Sequence, residues 1–477
     1  MIRFLLILTL LASARVEGAV VLPRILGHNM VLQRNKPLTI WGKATAGERV
    51  SVQFTGQRPE TTADAQGRWQ VVLQPLTASN VPAAMVITGT NTIRLENILV
   101  GEVWLCSGQS NMEFTMRKNS KVKRPLVDGP NPVDELEVAN NPAIRIFLVN
   151  RKELIKPDSL HRGWSVARDS ALRSFSAPAY FFAKELQKRL QVPVGVISSA
   201  VPGSRIEPWI PEEGFRAEPF FANQKLEGEP GKFYEPMIRP LVPFGLAGFL
   251  WYQGESNCFL NETTTYAQKM KALITSWRTA WQDAGLPVYY VAIAPFMYSE
   301  SKGNKVVLTR ETLPAFREAQ ELVLQLPNTG MIVTTDLADD LTDIHPSYKW
   351  EIGRRLALVA LNKTYGLTEI VASGPTFRQM KRKGQAAVLT FDNQGTGLVS
   401  RDGQPLTGFV VAGKDGVFHP AQATIDGRTV VVRAEAVRKP VAVRFGWDEA
   451  AQPNLINKEG LPARPFRTDN PLAGTLN

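Results

Sequence analysis

Six short, almost wholly apolar runs dominate the middle of this chain: EVWLCS from Glu102, IRIFLV from Ile144, VGVISSAV from Val194, LAGFLWYQ from Leu246, VYYVAIAPF from Val288 and GMIVTTD from Gly330. A half-buried strand alternates polar and apolar residues. Runs that are apolar on both faces suit parallel strands covered on each side. Between them lie stretches of helical period. From Thr264 to Ala284, the residues Tyr266, Met270, Leu273, Trp277 and Trp281 fall on one face, and Gly285 follows as a stop signal. A second helix is predicted from Pro346, a favoured first helical position, with Ile352, Leu356 and Val359 turned inward. Strand alternating with helix predicts a three-layer α/β domain on a parallel sheet, residues 100–370.

The flanks follow another pattern. Residues 19–99 break into VLQR, LTIWGKA, ERVSVQF, GRWQVVLQPL, AMVITG and NTIRLENILV, with Gly, Asn and Pro between them. That predicts a sandwich-like N-terminal β domain. AAVLTFD, FVVAG, TVVVRA and VAVRFGW predict a β-rich C-terminal region over 371–477. With 44% of 477 residues hydrophobic, the chain can bury several cores. At the start, Arg3, the apolar run Phe4–Ala12 and then Ala12-Ser13-Ala14 have the layout of a secretory signal peptide over residues 1–18. Cleavage fits after either Ala14 or Gly18, and the expected location is secreted or periplasmic. No later run reaches the ~20 apolar residues of a membrane span.

Formal net charge is +11, but it is spread along the chain. The densest patch, RKNSKVKR from Arg117 to Arg124, has no interleaved aromatics, which argues against nucleic acid as a partner. Two cysteines make no disulfide framework. Cys106 and Cys258 each lie beside an unusual motif, CSGQSN or QGESNC. They either pair where those loops meet or stay as buried thiols.

Ser110 is a candidate nucleophile, because it follows EVWLC at the strand's carboxyl end, where open parallel sheets bind ligands. Small neighbours Ser107 and Gly108 leave backbone amides free to turn toward a carbonyl. A serine hydrolase near neutral pH needs an imidazole to take the hydroxyl proton. There are four: His28 and His419 in the β flanks, His161 in SLHRGW near only Asp158, and His345 in DDLTDIHPSYKWEIGRRLA. His345 has the best context, between an acidic loop and the predicted helix. The dipole at a helix start disfavours imidazolium and keeps the ring able to accept a proton. Asp343, Asp340 and Asp339 are candidates for its carboxylate partner. Two further loops follow strands: Gly203 in SSAVPGSRIEPW can offer an unobstructed amide, and Gln253 in WYQGESN a side-chain amide. Glu255 either contacts substrate or orients its loop. No HExxH, CxxC pair, histidine cluster or glycine-rich phosphate loop occurs, and DLADDLTD lacks the glycine and spacing of an EF-hand. No metal or cofactor is expected.

GEVWLCSGQSNM, SRIEPWIP, WYQGESN and DIHPSYKWEIGRRLA are similar, in order and spacing, to the motifs of the sialate O-acetylesterase family of the SGNH hydrolase superfamily. NMVLQRNKPLTIWGKATAGERV and NKEGLPARPFRTD extend the resemblance to both ends of the chain. It implies an SGNH-type α/β hydrolase domain that removes O-acetyl groups from sugars through an acetyl-serine. It implies Ser110 as nucleophile, His345 as base, and an oxyanion hole from Ser110, Gly203 and Gln253. Substrate contacts are expected from Asn111, Arg205 (suited to a sialic carboxylate) and Glu255. The sequence departs from the superfamily pattern at Thr342, where an acid three residues before the histidine is common, so Asp343 is chosen by adjacency. It departs again at Pro202, where a second glycine is usual. The substrate implied is 9-O-acetylated sialic acid; the alternatives are acetylated xylan or another polysaccharide, or a glycan-binding protein without catalysis.

Overall fold

The computed structural model describes residues 19–123, 133–149, 163–472 and 476. The predicted signal peptide, His161 and Arg124 lie outside the described residues.

Seven strands build the N-terminal region: β1 (Val31–Gln33), β2 (Leu38–Lys43), β3 (Arg49–Gln53), β4 (Glu60–Thr62), β5 (Arg68–Leu73), β6 (Ser79–Thr88) and β7 (Thr92–Gly108). Their alternating patterns put Ile40, Val50, Val52, Trp69, Val71, Met85 and Ile87 into one core. β7 is 17 residues long and serves two structures. Its first part pairs antiparallel with β6. Its last part, from Glu102 to Gly108, is a central strand of the parallel sheet.

Six more strands complete that sheet: β8 (Ile144–Leu148), β9 (Ser165–Val166), β10 (Val194–Ala200), β11 (Gly248–Tyr252), β12 (Val288–Val291) and β13 (Thr329–Ile332). All six apolar runs of the sequence are strands here. The order is β13-β12-β11-β7-β10-β8-β9, parallel except for the antiparallel edge strand β9. Side chains alternate across the sheet. Val103, Leu105, Ile197, Phe249, Trp251, Val288 and Tyr290 pack on one face with Tyr266, Met270, Leu273, Trp277 and Phe316. Trp104, Cys106, Val194, Val196, Leu250, Tyr289 and Val291 pack on the other with Tyr180, Phe182, Leu186, Ile352, Leu356 and Val359. Helices therefore cover both faces, which is why the strands carry no polar stripe. The protein is a three-layer α/β fold on a mainly parallel sheet, with β-rich flanks.

Two helix boundaries differ from expectation. The helix Thr264–Ala280 ends before Gly285, because Gln282 already takes a left-handed conformation at φ 54°. The helix predicted from Pro346 runs Lys349–Lys363 instead. Residues 344–347 are drawn into a loop by side chains of the acidic segment before them.

The C-terminal region has its own core. Thr376–Lys383, Ala386–Asp392, Thr429–Arg433 and Gln422–Asp426 form one antiparallel sheet. Phe418–Pro420, Phe409–Ala412, Ala442–Phe445 and Phe466–Arg467 form a second. Leu389, Phe391, Val430 and Val432 of the first meet Val411, Val443, Phe445 and Phe466 of the second. Three arginines tie this region to the helix Thr312–Leu322 and its cap: Arg444 to Glu311 at 2.7 Å, Arg464 to Glu321 at 2.9 Å and Arg467 to Glu318 at 2.8 Å.

Candidate active site

β7, β10 and β11 end side by side, and the loops leaving them are tied together. The Gln109 N–H donates to the Tyr252 carbonyl at 3.0 Å, and the Val201 N–H to that of Gly108 at 3.1 Å. The approach requires glycine at 108. Its φ is +139°, and a Cβ there would stand 2.1 Å from the Tyr252 oxygen.

Ser110 opens a one-turn helix, Ser110–Glu113, anchored by the Ser176 hydroxyl on the Met112 carbonyl at 2.6 Å. Its Oγ lies 2.9 Å from His345 Nε2. His345 Nδ1 lies 3.0 Å from Asp343 Oδ1, and the same oxygen accepts the His345 backbone N–H at 2.9 Å. Two residues 235 positions apart thus share a hydrogen bond at the carboxyl end of the sheet. The other acids of the segment have separate tasks. Asp340 accepts from the Thr342 N–H and hydroxyl, at 2.8 and 2.7 Å. Asp339 accepts from the Ser347 N–H at 3.1 Å. Asp336 takes the buried Arg355 guanidinium with two bonds, 2.7 and 2.6 Å. Of the three candidate carboxylates, Asp343 is the one at the ring.

Burial lowers the His345 pKa from its ordinary value; the Asp343 carboxylate opposes this, and the Lys349 and Lys118 charges add to it. The ring therefore favours the neutral state a base needs. His345 sits four residues ahead of the helix, so burial rather than the dipole is the leading cause.

In the loop that follows β10, Gly203 is exposed in a turn at φ +71°, with open space above its Cα. Gln253 is placed differently from expectation. It is fully buried; its Nε2 donates to the Ser204 carbonyl at 3.2 Å and to Asn257 Oδ1 at 2.7 Å. Its Oε1 accepts from the Tyr266 hydroxyl at 3.0 Å. Both amide hydrogens are spent inside the protein, so this carboxamide fixes the Gly203 loop rather than presenting a donor to an oxyanion. Asn257 reinforces that tie by accepting the Ile206 N–H at 3.0 Å.

Asn111 and Glu255, expected at the substrate, are buried too. Asn111 Nδ2 donates to Glu255 Oε1 at 2.6 Å and to the Ile344 carbonyl at 3.1 Å. Asn111 Oδ1 accepts from Lys349 Nζ at 2.7 Å. Lys349 also donates to the Pro346 carbonyl at 2.6 Å and lies 4.8 Å from the Phe114 ring centroid. Burial pulls this lysine down to about 7 and raises the Glu255 carboxyl. Sequence reasoning missed Lys349. A signal existed: a cation in a first helical turn opposes the helix dipole and needs compensation. Arg205 is half-buried beside Gly203 and forms no ion pair among the described residues.

His28 lies apart, accepting the Glu96 N–H at 3.0 Å, and His419 sits in a C-terminal strand. Cys106 and Cys258 are free, buried thiols whose burial raises both pKa values. No helix among the described residues is long and apolar enough to cross a membrane.

A serine, an imidazole and a carboxylate in line, at the carboxyl ends of parallel strands, are the groups that nucleophilic catalysis by a serine calls for. Residues 100–362 match the family described as carbohydrate esterase, sialic acid-specific acetylesterase. The chain is 37% identical to a carbohydrate acetylesterase from Xanthomonas citri of known structure, covering 94% of this chain and 100% of that one, with a TM-score of 0.82. It is 27% identical to the rat sialate O-acetylesterase over 92% of each chain. With the human enzyme the identity is 29%, over 73% of this chain and 72% of that one. The chain belongs to the carbohydrate esterase, sialic acid-specific acetylesterase family, and is a carboxylic ester hydrolase.

Proposed function

We propose that this protein removes O-acetyl groups from sugars through an acetyl-enzyme on Ser110. The observation that carries the reading is the line from Ser110 Oγ to His345 Nε2 at 2.9 Å and from Nδ1 to Asp343 at 3.0 Å. His345 takes the hydroxyl proton as the oxygen attacks the acetyl carbonyl. Charge on the carbonyl oxygen is met by the Ser110 and Gly203 backbone N–H groups. The C–O bond to the sugar breaks, His345 returns its proton to the sugar oxygen, and acetyl-serine is left. Water, deprotonated by the same imidazole, then releases acetate and restores Ser110.

The finer reading is 9-O-acetylated sialic acid as substrate, supported by the family description and the rat and human relatives. Arg205, two residues after Gly203, is read as the cation that meets the sialic carboxylate. A second reading is an acetylated polysaccharide; the 37% identity to the Xanthomonas citri carbohydrate acetylesterase supports a carbohydrate ester of either kind. We read residues 1–18 as a signal peptide, so the mature protein is exported; residues 19–99, 100–370 and 371–477 are its three units.

Acetate release from p-nitrophenyl acetate tests the chemistry. Ser110→Ala should abolish it, and a serine-reactive phosphonate should modify Ser110, seen by peptide mass spectrometry; retained activity in the variant sinks the mechanism. Comparing O-acetyl sialic acid with acetyl-xylan tests the substrate. If sialate is the substrate, Arg205→Ala raises KM for it and leaves p-nitrophenyl acetate untouched.

A further inference from the structure

The buried polar chain beneath the site joins the chain neighbours of both reacting groups. Asn111 follows Ser110. Ile344 and Pro346 flank His345. The Ile344 carbonyl accepts from Asn111 at 3.1 Å, the Pro346 carbonyl accepts from Lys349 at 2.6 Å, and Asn111 and Lys349 bond to each other at 2.7 Å. The backbone on either side of the imidazole is thus held by one pair of side chains, and one of that pair is covalently next to the nucleophile.

Charge fixes the pair in a single orientation. The Asn111 amide has its NH₂ on the Glu255 carboxylate at 2.6 Å and its oxygen on the Lys349 ammonium. Flipping it would set donor against donor and acceptor against acceptor. Lys349 and Asn111 are 0% exposed and Glu255 is 1% exposed, so water cannot take over any of these bonds. Two of the three ammonium donors are used on oxygens; the rings of Phe114 and Tyr252, at 4.8 and 5.5 Å, complete the surroundings of the charge. The groups acting on Lys349 are Glu255, Asp343 and Asp339, which favour its charge, and Lys118, which opposes it.

His345 needs such support. It lies on a loop ahead of its helix, its side chain is one-third exposed, and its visible partner Asp343 is 60% exposed. A misplacement of about 1 Å can cost 10²-fold in rate.

We propose that Lys349 is a positioning residue for the esterase reaction: acting with Asn111 through the Ile344 and Pro346 carbonyls, it holds the His345 imidazole on the Ser110 hydroxyl. The inference rests on Ser110 and His345 being the reacting pair.

The test is a double-mutant cycle of Lys349→Met and Asn111→Ala in the full chain, assayed with p-nitrophenyl acetate across pH. Each single variant should lose about 10²-fold in kcat with KM little changed. The double variant should be no worse than about the poorer single, because both cut one tie. Lys349→Met should also move the acid limb of the rate profile to higher pH, since the ammonium charge that lowers the His345 pKa is gone. Asn111→Ala, which keeps that charge, should leave the limb in place. If Lys349→Met does not fold, Asn111→Ala alone still decides, by a kcat loss at an unmoved limb. Full kcat in a folded variant, losses that multiply in the double, or an unmoved limb in Lys349→Met each overturn the proposal. Activity persisting in Ser110→Ala would instead overturn the reading of the site itself.

Discussion

Asp343 carries the imidazole from a position open to solvent, 60% exposed, while the ring it holds is one-third exposed. An exposed carboxylate stabilises imidazolium less than a buried one, because water screens it. It also holds the ring sterically, since one oxygen bonds both the ring Nδ1 and the His345 backbone N–H. Asp343→Asn should therefore cost about 10²-fold in kcat, short of the ~10⁴ seen when a buried triad acid is amidated. The pH profile gives the sign. In the wild type, burial places the His345 pKa below 6.5, so kcat/KM should rise through an acid limb below that pH and level off by neutrality. The Asp343 charge is what raises that pKa, so Asp343→Asn should move the limb lower. A limb that stays put would mean the carboxylate acts by geometry alone. At this scale the sequence was informative wherever a residue type is scarce. Four histidines left few bases to choose from, and adjacency picked Asp343 from three acids. It was silent where role depends on burial. Asn111, Gln253 and Glu255 sit in the right motifs, but nothing local says that their polar atoms are spent inside. Lys349 looks like any solvated lysine of a first helical turn.

Among elements, the ends of β7, β10 and β11 decide where the loops meet. Gly108 is the point of closest approach, with no room for a Cβ before the Tyr252 oxygen. Gly108→Ala should lower stability by about 3 kcal/mol, through a backbone clash and a disfavoured φ together, read from urea unfolding with an unchanged slope. It should also reduce kcat, because the strand end delivers Ser110. A fully stable, fully active variant would show that the two strands part easily. Strand positions were readable because an unbroken apolar run has few alternatives at that length. Helix starts were less so. Pro346 suits a first turn, yet Asp343 and Asp339 capture the N–H groups of His345 and Ser347, and the loop persists to Tyr348. That competition between side-chain acceptors and helix is tertiary in origin, and no periodicity reveals it.

At the scale of the molecule, the N-terminal region and the catalytic sheet share β7. The change of sequence pattern near Gly101 falls inside that strand, since composition responds to what covers a strand and not to where the strand ends. Contacts cross the same border: Trp164 Nε1 donates to the Ile25 carbonyl at 2.8 Å, Gln33 Nε2 to Glu102 at 2.9 Å and Lys36 to Asp283 at 2.8 Å. A chain beginning at residue 100 would keep every motif of the site but leave Trp164, Glu102 and Asp283 without the partners that Ile25, Gln33 and Lys36 supply. It should fail to accumulate as soluble, active protein, measured by acetate release per milligram of soluble fraction; an active fragment would show that the hydrolase sheet folds without its neighbour. The two cysteines have a practical consequence of another kind. Both sulfurs are sealed in the interior with their protons held fast, so alkylating reagents and mild oxidants should find nothing to attack on the native surface. A single cysteine placed outside by design would be the sole reactive handle on the molecule, ready to carry one dye or one tether.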